Sequence, residues 1–166
     1  MQLNSVKYTI FFATIICVVC SIMVAVSAVA LAERQETNRK VYKQRNVLLA
    51  AGIIKDGQKV SNEEVIKLFN ENIEPVLVDL KTGEYVKEGD PAAYDQLAAR
   101  NDPARSEVGP PNSSSIKRLP KLGLVFHVKK EGKVDAVVIP VEGYGLWGTL
   151  YGFLAFEHDA NTVRGL

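Results

Sequence analysis

The sequence predicts an α/β (α+β) protein: one N-terminal transmembrane helix, then a mixed, mainly antiparallel sheet domain with flanking helices, incomplete at its C-terminus. Three observations predict this class. They are a long uncharged run near the N-terminus, a short amphipathic helical pattern, and several alternating or β-branched segments separated by Gly-containing turns. The 166 residues suffice for one hydrophobic core with an appendage.

The uncharged run extends from Thr9 to Ala32. At ~1.5 Å per residue its roughly 24 residues reach about 36 Å, enough to cross the hydrocarbon core of a bilayer. We therefore divide the chain into a tail (1–7), a transmembrane helix (8–32), a helical exit segment (33–52) and a folded domain (53–166).

Two alternatives to a membrane anchor stay open. A cleavable signal peptide is compatible with Lys7 before the run and the small residues of Ala28-Val29-Ala30 near its end, and a buried core helix is the other. The apolar run is longer than a signal peptide needs, and helical periodicity continues beyond it as far as Gly52, which we expect to end the helix. The residues of that continued pattern are Val41, Tyr42, Arg45, Leu48 and Leu49.

Charge limits the partners and leaves the orientation open. The 20 basic and 19 acidic side chains give a net charge of +1, which supplies no electrostatic reason to bind nucleic acid. Positive charge is concentrated after the span, which by the positive-inside rule places the domain in the cytoplasm, although long domains can translocate regardless of charge. The residues are Arg34, Arg39, Lys40, Lys43 and Arg45.

The only two cysteines, Cys17 and Cys20, form a C-x-x-C inside the span. Positions three apart share one helix face, so the pair either fills space as small apolar side chains or faces a partner helix or an intersubunit metal cluster. The folded domain has no cysteine, so it has no disulfide.

The folded domain begins with helical and strand patterns. Ser61 and Glu64 form a capping box before a short helix, and a strand–turn–strand follows around Lys81-Thr82-Gly83. Asp90 before Pro91 predicts a second helix over 91–100. The segment 101–120, rich in Pro, Gly, Ser and Asn, is predicted to be an exposed loop.

Alternation dominates after residue 120. Leu124, Phe126 and Val128 are expected on one strand face, with His127 on the other. Glu131-Gly132 is a predicted turn into a second strand, a third strand follows from Thr149, and the last five residues begin another. His127 and His158 have no visible metal-ligand or nucleophile partner and are interpreted as structural or surface residues.

Residues 143–148 read GYGLWG, which satisfies G-x-G-x-x-G. A dinucleotide loop with this spacing opens a helix, whereas a strand pattern follows here, so we expect a tight connection between strands. Tyr144, Leu146 and Trp147 then either cover the sheet or border a planar cofactor.

The order of these features resembles a known family. One N-terminal span, LFNENIEPVLVDLKTGEYV, and VVIPVEGYGLWGTLYGFLAFEHDANTVRGL together resemble the NqrC family, a subunit of the sodium-translocating NADH:quinone oxidoreductase of bacterial respiratory membranes and a relative of the flavin subunit of Rnf complexes. The resemblance covers essentially the whole chain and is most specific from Val138 to Leu166.

The resemblance implies an electron-carrying flavin domain outside the cytoplasm of a bacterial inner membrane, with a single-pass anchor in the lipid bilayer. It implies other subunits of the complex as partners, and NADH oxidation and ubiquinone reduction coupled to sodium export. It also implies FMN attached through phosphate to a threonine in a motif close to S-G-A-T-x-[ST]. Leu146, Trp147 and Tyr144 are the expected flavin neighbours.

The chain departs from the family at the attachment motif. None of its threonines lies in S-G-A-T, so we expect a sequence truncated before the anchor. The alternative function is a noncatalytic membrane-anchored docking module without flavin. The threonines are Thr9, Thr14, Thr37, Thr82, Thr149 and Thr162.

Overall fold

The structure is a computed structural model that describes residues 5–111 and 116–166. It divides into two compact units, one up to Lys40 and one from Val41 to Leu166. The helices are α1 (Val6–Ala50), α2 (Asn62–Asn72) and α3 (Gln96–Asn101). The strands are β1 (Ile73–Asp79), β2 (Tyr85–Val86), β3 (Ser106–Val108), β4 (Arg118–Pro120), β5 (Leu122–Lys130), β6 (Lys133–Tyr144), β7 (Thr149–Glu157) and β8 (Val163–Gly165).

The first unit contains the apolar part of α1. Within the described residues α1 is the one helix long and apolar enough to cross a membrane, and the apolar side chains of its 9–32 stretch are exposed. The hydroxyls of Thr14 and Ser27 donate to the carbonyls of Ile10 (2.9 Å) and Met23 (2.8 Å). Because polar groups in lipid need partners within the segment, these bonds suit a membrane span.

The second unit is built on a six-stranded sheet with the order β2-β1-β5-β6-β7-β8. Every pairing in it is antiparallel, and β3 and β4 form a separate antiparallel pair. The predicted fold class, an apolar N-terminal helix with an antiparallel α/β domain, is confirmed. Strands adjacent in the chain lie side by side from β5 to β8, as short turns require.

One sheet face carries the core. Leu124, Phe126 and Val128 of β5 are buried there, while His127 lies on the opposite face, as the alternation predicts. The C-terminal turns of α1 supply Val47 and Leu48, and α2 supplies Val65 and Phe69. Phe69 meets Phe126 edge-on with ring centroids 6.1 Å apart, a favourable aromatic geometry.

The predicted ends of two helices agree with the structure. α1 ends at Ala50, and Gly52 has a φ of 72°, a left-handed conformation that a helix cannot continue. α2 begins after Ser61, whose hydroxyl oxygen accepts a hydrogen bond from the amide of Glu64 at 3.2 Å. The capping interaction satisfies one of the free amides of the first turn.

The second predicted helix begins later than expected. Asp95, not Asp90, is the N-cap of α3, because its carboxylate accepts from the amides of Leu97 and Ala98. Asp90 accepts from Ala92 in a local turn, and the hydroxyl of Tyr94 donates to the carbonyl of Leu122 at 2.8 Å. We attribute the late start to this long-range bond, which ties residue 94 to the sheet.

The segment 101–120, predicted to be an exposed loop, contains both β3 and β4. Arg118 holds them together by donating from Nε to the hydroxyl of Ser106 (2.8 Å) and from Nη2 to its carbonyl (3.0 Å). Ser106 is buried. Three-residue strands are too short to show alternation, which explains why composition alone indicated a loop. Residues 112–115 of the predicted loop lie outside the described residues.

Candidate functional site at the 143–148 hairpin

The GYGLWG stretch forms the connection of a long β-hairpin. Tyr144, the last residue of β6, pairs with Thr149, the first of β7, and the amide of Gly145 donates to the carbonyl of Gly148 at 2.8 Å. Gly148 has a φ of 153°, which favours glycine. A strand follows the glycines, so the stretch lacks the helix N-terminus that a pyrophosphate-binding loop requires.

The side chains of this tip are exposed. Trp147 is 94% and Leu146 is 89% accessible to solvent, and Tyr144, Leu150 and Tyr151 are also exposed. They therefore do not serve as a cover for the sheet. A cluster of large apolar side chains at a strand connection is typical of a surface that contacts a ligand or another protein.

Two residue pairs from the last pair before the tip, the hairpin carries an ion pair that the sequence analysis did not predict. Arg100 of α3 donates to a carboxylate oxygen of Glu142 on β6 at 2.5 Å, and the two side chains are 17% and 20% exposed. Tyr151 on β7 lies close enough to Arg100 to favour its charged form. Burial lowers the pKa of Arg100, but the neighbouring Glu142 and Tyr151 raise it overall. The guanidinium therefore stays charged.

A second contact ties α3 to the sheet. The side-chain oxygen of Gln96 accepts a hydrogen bond from the backbone amide of Leu124 on β5 at 2.8 Å. Gln96 and Arg100 are four residues apart and lie on one face of the helix. That spacing is the only sequence signal for the contacts between α3 and the sheet. The sheet residues that Gln96 and Arg100 contact are more than 25 positions away in the chain.

The two histidines stand apart from this site. His127 lies on the sheet face opposite the core, where Nε2 is 3.2 Å from the hydroxyl of Tyr85 and the rings meet edge-on. Burial lowers the pKa of His127, against the opposing effect of Glu74. His158 is exposed in the turn after β7.

The remaining candidate residues do not assemble a metal site. Within residues 5–111 and 116–166, no group of three His, Cys, Asp or Glu side chains is placed to hold a metal ion. Cys17 and Cys20 are free and exposed on α1. Thr162 is engaged locally, since its hydroxyl donates to Asp159 at 2.6 Å.

The fold and site define a class of protein: one candidate membrane span followed by an antiparallel α/β domain with an exposed aromatic hairpin. No family model matches the chain. The chain is 44% identical over 164 residues to the NqrC subunit of the Na(+)-translocating NADH-quinone reductase of Pseudomonas aeruginosa, covering 98% of this chain and 62% of that protein. The corresponding subunit of Vibrio anguillarum is 39% identical over 165 residues, with coverages of 98% and 62%.

A solved structure supports the same relationship. The crystal structure of NqrC from Shewanella oneidensis has a TM-score of 0.67 and 31% identity, covering 76% of this chain and 57% of that chain. The resemblance recognised in the sequence is therefore confirmed: the chain is homologous to the NqrC subunit of the Na(+)-translocating NADH-quinone reductase along almost its entire length. It spans about three fifths of the length of the curated relatives it matches.

Proposed function

We propose that the protein is an electron-carrying flavin subunit of a sodium-pumping NADH:quinone oxidoreductase. The observation that carries this proposal is the 44% identity to the Pseudomonas aeruginosa NqrC subunit across 98% of the chain. The relatives' name refers to a complex that oxidises NADH, reduces quinone and moves sodium. This chain contributes electron transfer between redox centres, while partner subunits bind NADH, quinone and sodium.

FMN is the proposed cofactor, and the hairpin tip is its proposed neighbour. Tyr144, Leu146 and Trp147 present aromatic and apolar surface suited to a planar isoalloxazine ring, and their exposure leaves room for such a contact. The flavin, when bound, supplies reversible electron transfer, and the protein sets its orientation and surroundings. No threonine of this chain lies in an S-G-A-T motif, so the phosphate-linked threonine would come from residues beyond these 166.

The contact between Trp147 and the flavin is testable in the complete protein. Trp147→Ala should shift the flavin fluorescence or midpoint potential, because it removes an aromatic surface beside the ring. Tyr42→Ala, which removes another exposed aromatic ring outside the hairpin, serves as the control and should change neither property. Unchanged fluorescence and potential in Trp147→Ala would count against the contact.

The proposed location is the bacterial inner membrane, with α1 as the anchor and the domain outside the cytoplasm. The resemblance supports this orientation, while the basic residues after the span favour the opposite one. Protease accessibility in intact cells and spheroplasts separates the two. A domain that is degraded in spheroplasts and protected in intact cells fits a periplasmic location. Protection in both would place it in the cytoplasm.

The alternative function is a noncatalytic, membrane-anchored docking module without flavin. Mass spectrometry of the protein made by its native host distinguishes the two functions. Added mass equal to FMN on the complete protein supports the flavin subunit. A flavin-free protein that still assembles with the other subunits supports the docking module.

A further inference from the structure

The hairpin that carries the candidate site is only partly supported by its neighbour in the sheet. The β5–β6 pairing runs from Phe126–Val138 to Lys130–Lys133. The β6–β7 pairing continues further, to Tyr144–Thr149. The last six residues of β6 therefore extend beyond their ladder with β5, and among the described strands they pair with β7 alone. Two strands without a third are marginally stable, so this end of the hairpin needs another support.

Helix α3 supplies that support from the core side of the sheet. Gln96 accepts from the amide of Leu124, a β5 residue beyond the end of the β5–β6 ladder. Arg100, one helical turn later, pairs with Glu142 on the extended part of β6. The same face of one short helix thus connects β5 to β6 where the backbone ladder between them has stopped.

Arg100 contacts both strands of the hairpin. Glu142 and Tyr151 are direct cross-strand partners in the β6–β7 ladder. The guanidinium donates to the carboxylate of Glu142, and Tyr151 is near enough to favour the charged form of Arg100. Glu142 precedes Gly145 by three residues, and Tyr151 follows Gly148 by three. A planar guanidinium can satisfy two acceptors at fixed angles, which a lysine ammonium cannot do in the same way.

We propose that Arg100 is a positioning residue that, together with Gln96, fixes the hairpin tip and hence the placement of Trp147. The geometry of the tip depends only on contacts within this chain. Its consequence for the cofactor rests on the proposed function, because Trp147 matters to electron transfer only if a flavin lies beside it. The role concerns orientation, since Arg100 belongs to α3 and contacts the hairpin at Glu142, two residue pairs from the last pair of the ladder, and not at the tip side chains themselves.

The chain offers a matched control at the other end of the same hairpin. Arg164 of β8 bridges Asp135 of β6, at 2.7 Å, and Glu157 of β7. It is an arginine of similar exposure with partners on the same two strands. Its position is far along the strands from the tip, because Glu157 pairs with Ala136 while Tyr144 pairs with Thr149.

The first experiment uses the full chain in detergent micelles and the fluorescence anisotropy decay of its tryptophan. Trp147 is the only tryptophan of the sequence, so the signal reports the tip alone. Arg100→Gln is expected to about double the amplitude of the fast, local component of the decay. Glu142→Gln should do the same, and the double variant should add little, because both remove one interaction. Arg164→Gln should leave the decay as in the wild type.

Two further variants separate positioning from simple folding. Arg100→Lys keeps the positive charge but loses the planar, forked guanidinium group. Its anisotropy decay should therefore resemble that of Arg100→Gln. Tyr151→Phe keeps the ion pair and the ring, and should give a smaller increase. Circular dichroism identifies any variant that fails to fold. If Arg100→Gln does not fold, the anisotropy decays of Glu142→Gln and Tyr151→Phe test the proposal instead. A wild-type decay in the folded variants, or an equal increase in Arg164→Gln, would overturn the proposal.

The second experiment uses the complete flavin-loaded protein. Arg100→Gln should shift the flavin midpoint potential or fluorescence in the same direction as Trp147→Ala, and Arg164→Gln should not. If the tip loosens but both flavin properties stay unchanged, the claim that Arg100 positions Trp147 against the cofactor is wrong. If the complete protein carries no flavin, the proposed function fails, and the anisotropy decay still tests the geometry.

Discussion

At the scale of single residues, the turn between β7 and β8 concentrates its hydrogen bonds on one carboxylate. Asp159 accepts from the hydroxyl of Thr162 (2.6 Å) and from the amides of Thr162 (2.8 Å) and Asn161 (3.0 Å). These bonds, with the Thr162 hydroxyl first, lower the pKa of Asp159 from 3.8 to about 2. Each bond favours the charged form, so the turn is built for an ionised aspartate.

This shift predicts a specific loss of stability in acid. A carboxylate with a lowered pKa in the folded state contributes stability that is complete above 3.8 and is lost as the pH falls toward about 2. Asp159→Asn retains an acceptor for the backbone amides but cannot titrate. Between those two pH values, the melting temperature of the wild-type chain should fall more steeply than that of Asp159→Asn. Asp56→Asn, in another exposed turn, is the control and should follow the wild type.

At the scale of elements, the turn between β5 and β6 carries a correctable strain. Glu131 and Gly132 both have positive φ, 53° and 79°, the conformation of a two-residue hairpin in which asparagine and glycine are preferred. Glutamate tolerates this region poorly because of its Cβ. Glu131→Asn should therefore stabilise the protein by about 0.5–1 kcal/mol. Glu131→Val, with a branched Cβ, should destabilise it. Thermal melting of both variants tests the opposite signs.

Some of these elements were predictable from nearby residues in the sequence, and others were not. The Ser61 cap, the turn at Lys81-Thr82-Gly83 and the alternation of β5 were predictable because each depends on residues within a few positions. The start of α3 was not: the sequence indicated Asp90 as the cap, whereas Asp95 caps the helix, and we attribute the difference to the long-range bond from Tyr94 to Leu122. The Arg100–Glu142 pair joins positions 42 apart, and periodicity carries no information over that distance.

At the scale of the whole molecule, the sequence predicted an antiparallel α/β domain, and its resemblance indicated the family. The GYGLWG stretch was correctly interpreted as a strand connection because the residues after it have strand character. The solvent exposure of its side chains was not predictable from the sequence, because aromatic residues at a turn can as readily pack onto a sheet as extend from it. The burial of Ser106 and the pairing of β3 with β4 likewise depend on the tertiary contacts of Arg118.

The sheet face opposite the core carries apolar side chains, and these affect how the isolated piece 33–166 is expected to behave in solution. β6 reads AVVIPV over residues 136–141, a continuous apolar run typical of strands covered on both faces. Ala136 and Val138 are buried, whereas Val137 and Ile139 are only half-buried on the other face. We expect the isolated piece 33–166 to self-associate through this face and to have poor solubility.

Sedimentation velocity over a range of concentrations measures that association. Replacing Val137 and Ile139 together by threonine should shift the 33–166 piece toward the monomer, because threonine keeps the β-branched shape and removes apolar surface. Val134→Thr, near the beginning of β6, is the control and should leave the distribution unchanged. A wild-type piece that stays monomeric and melts in one sharp, cooperative transition would show that the opposite face needs no covering layer.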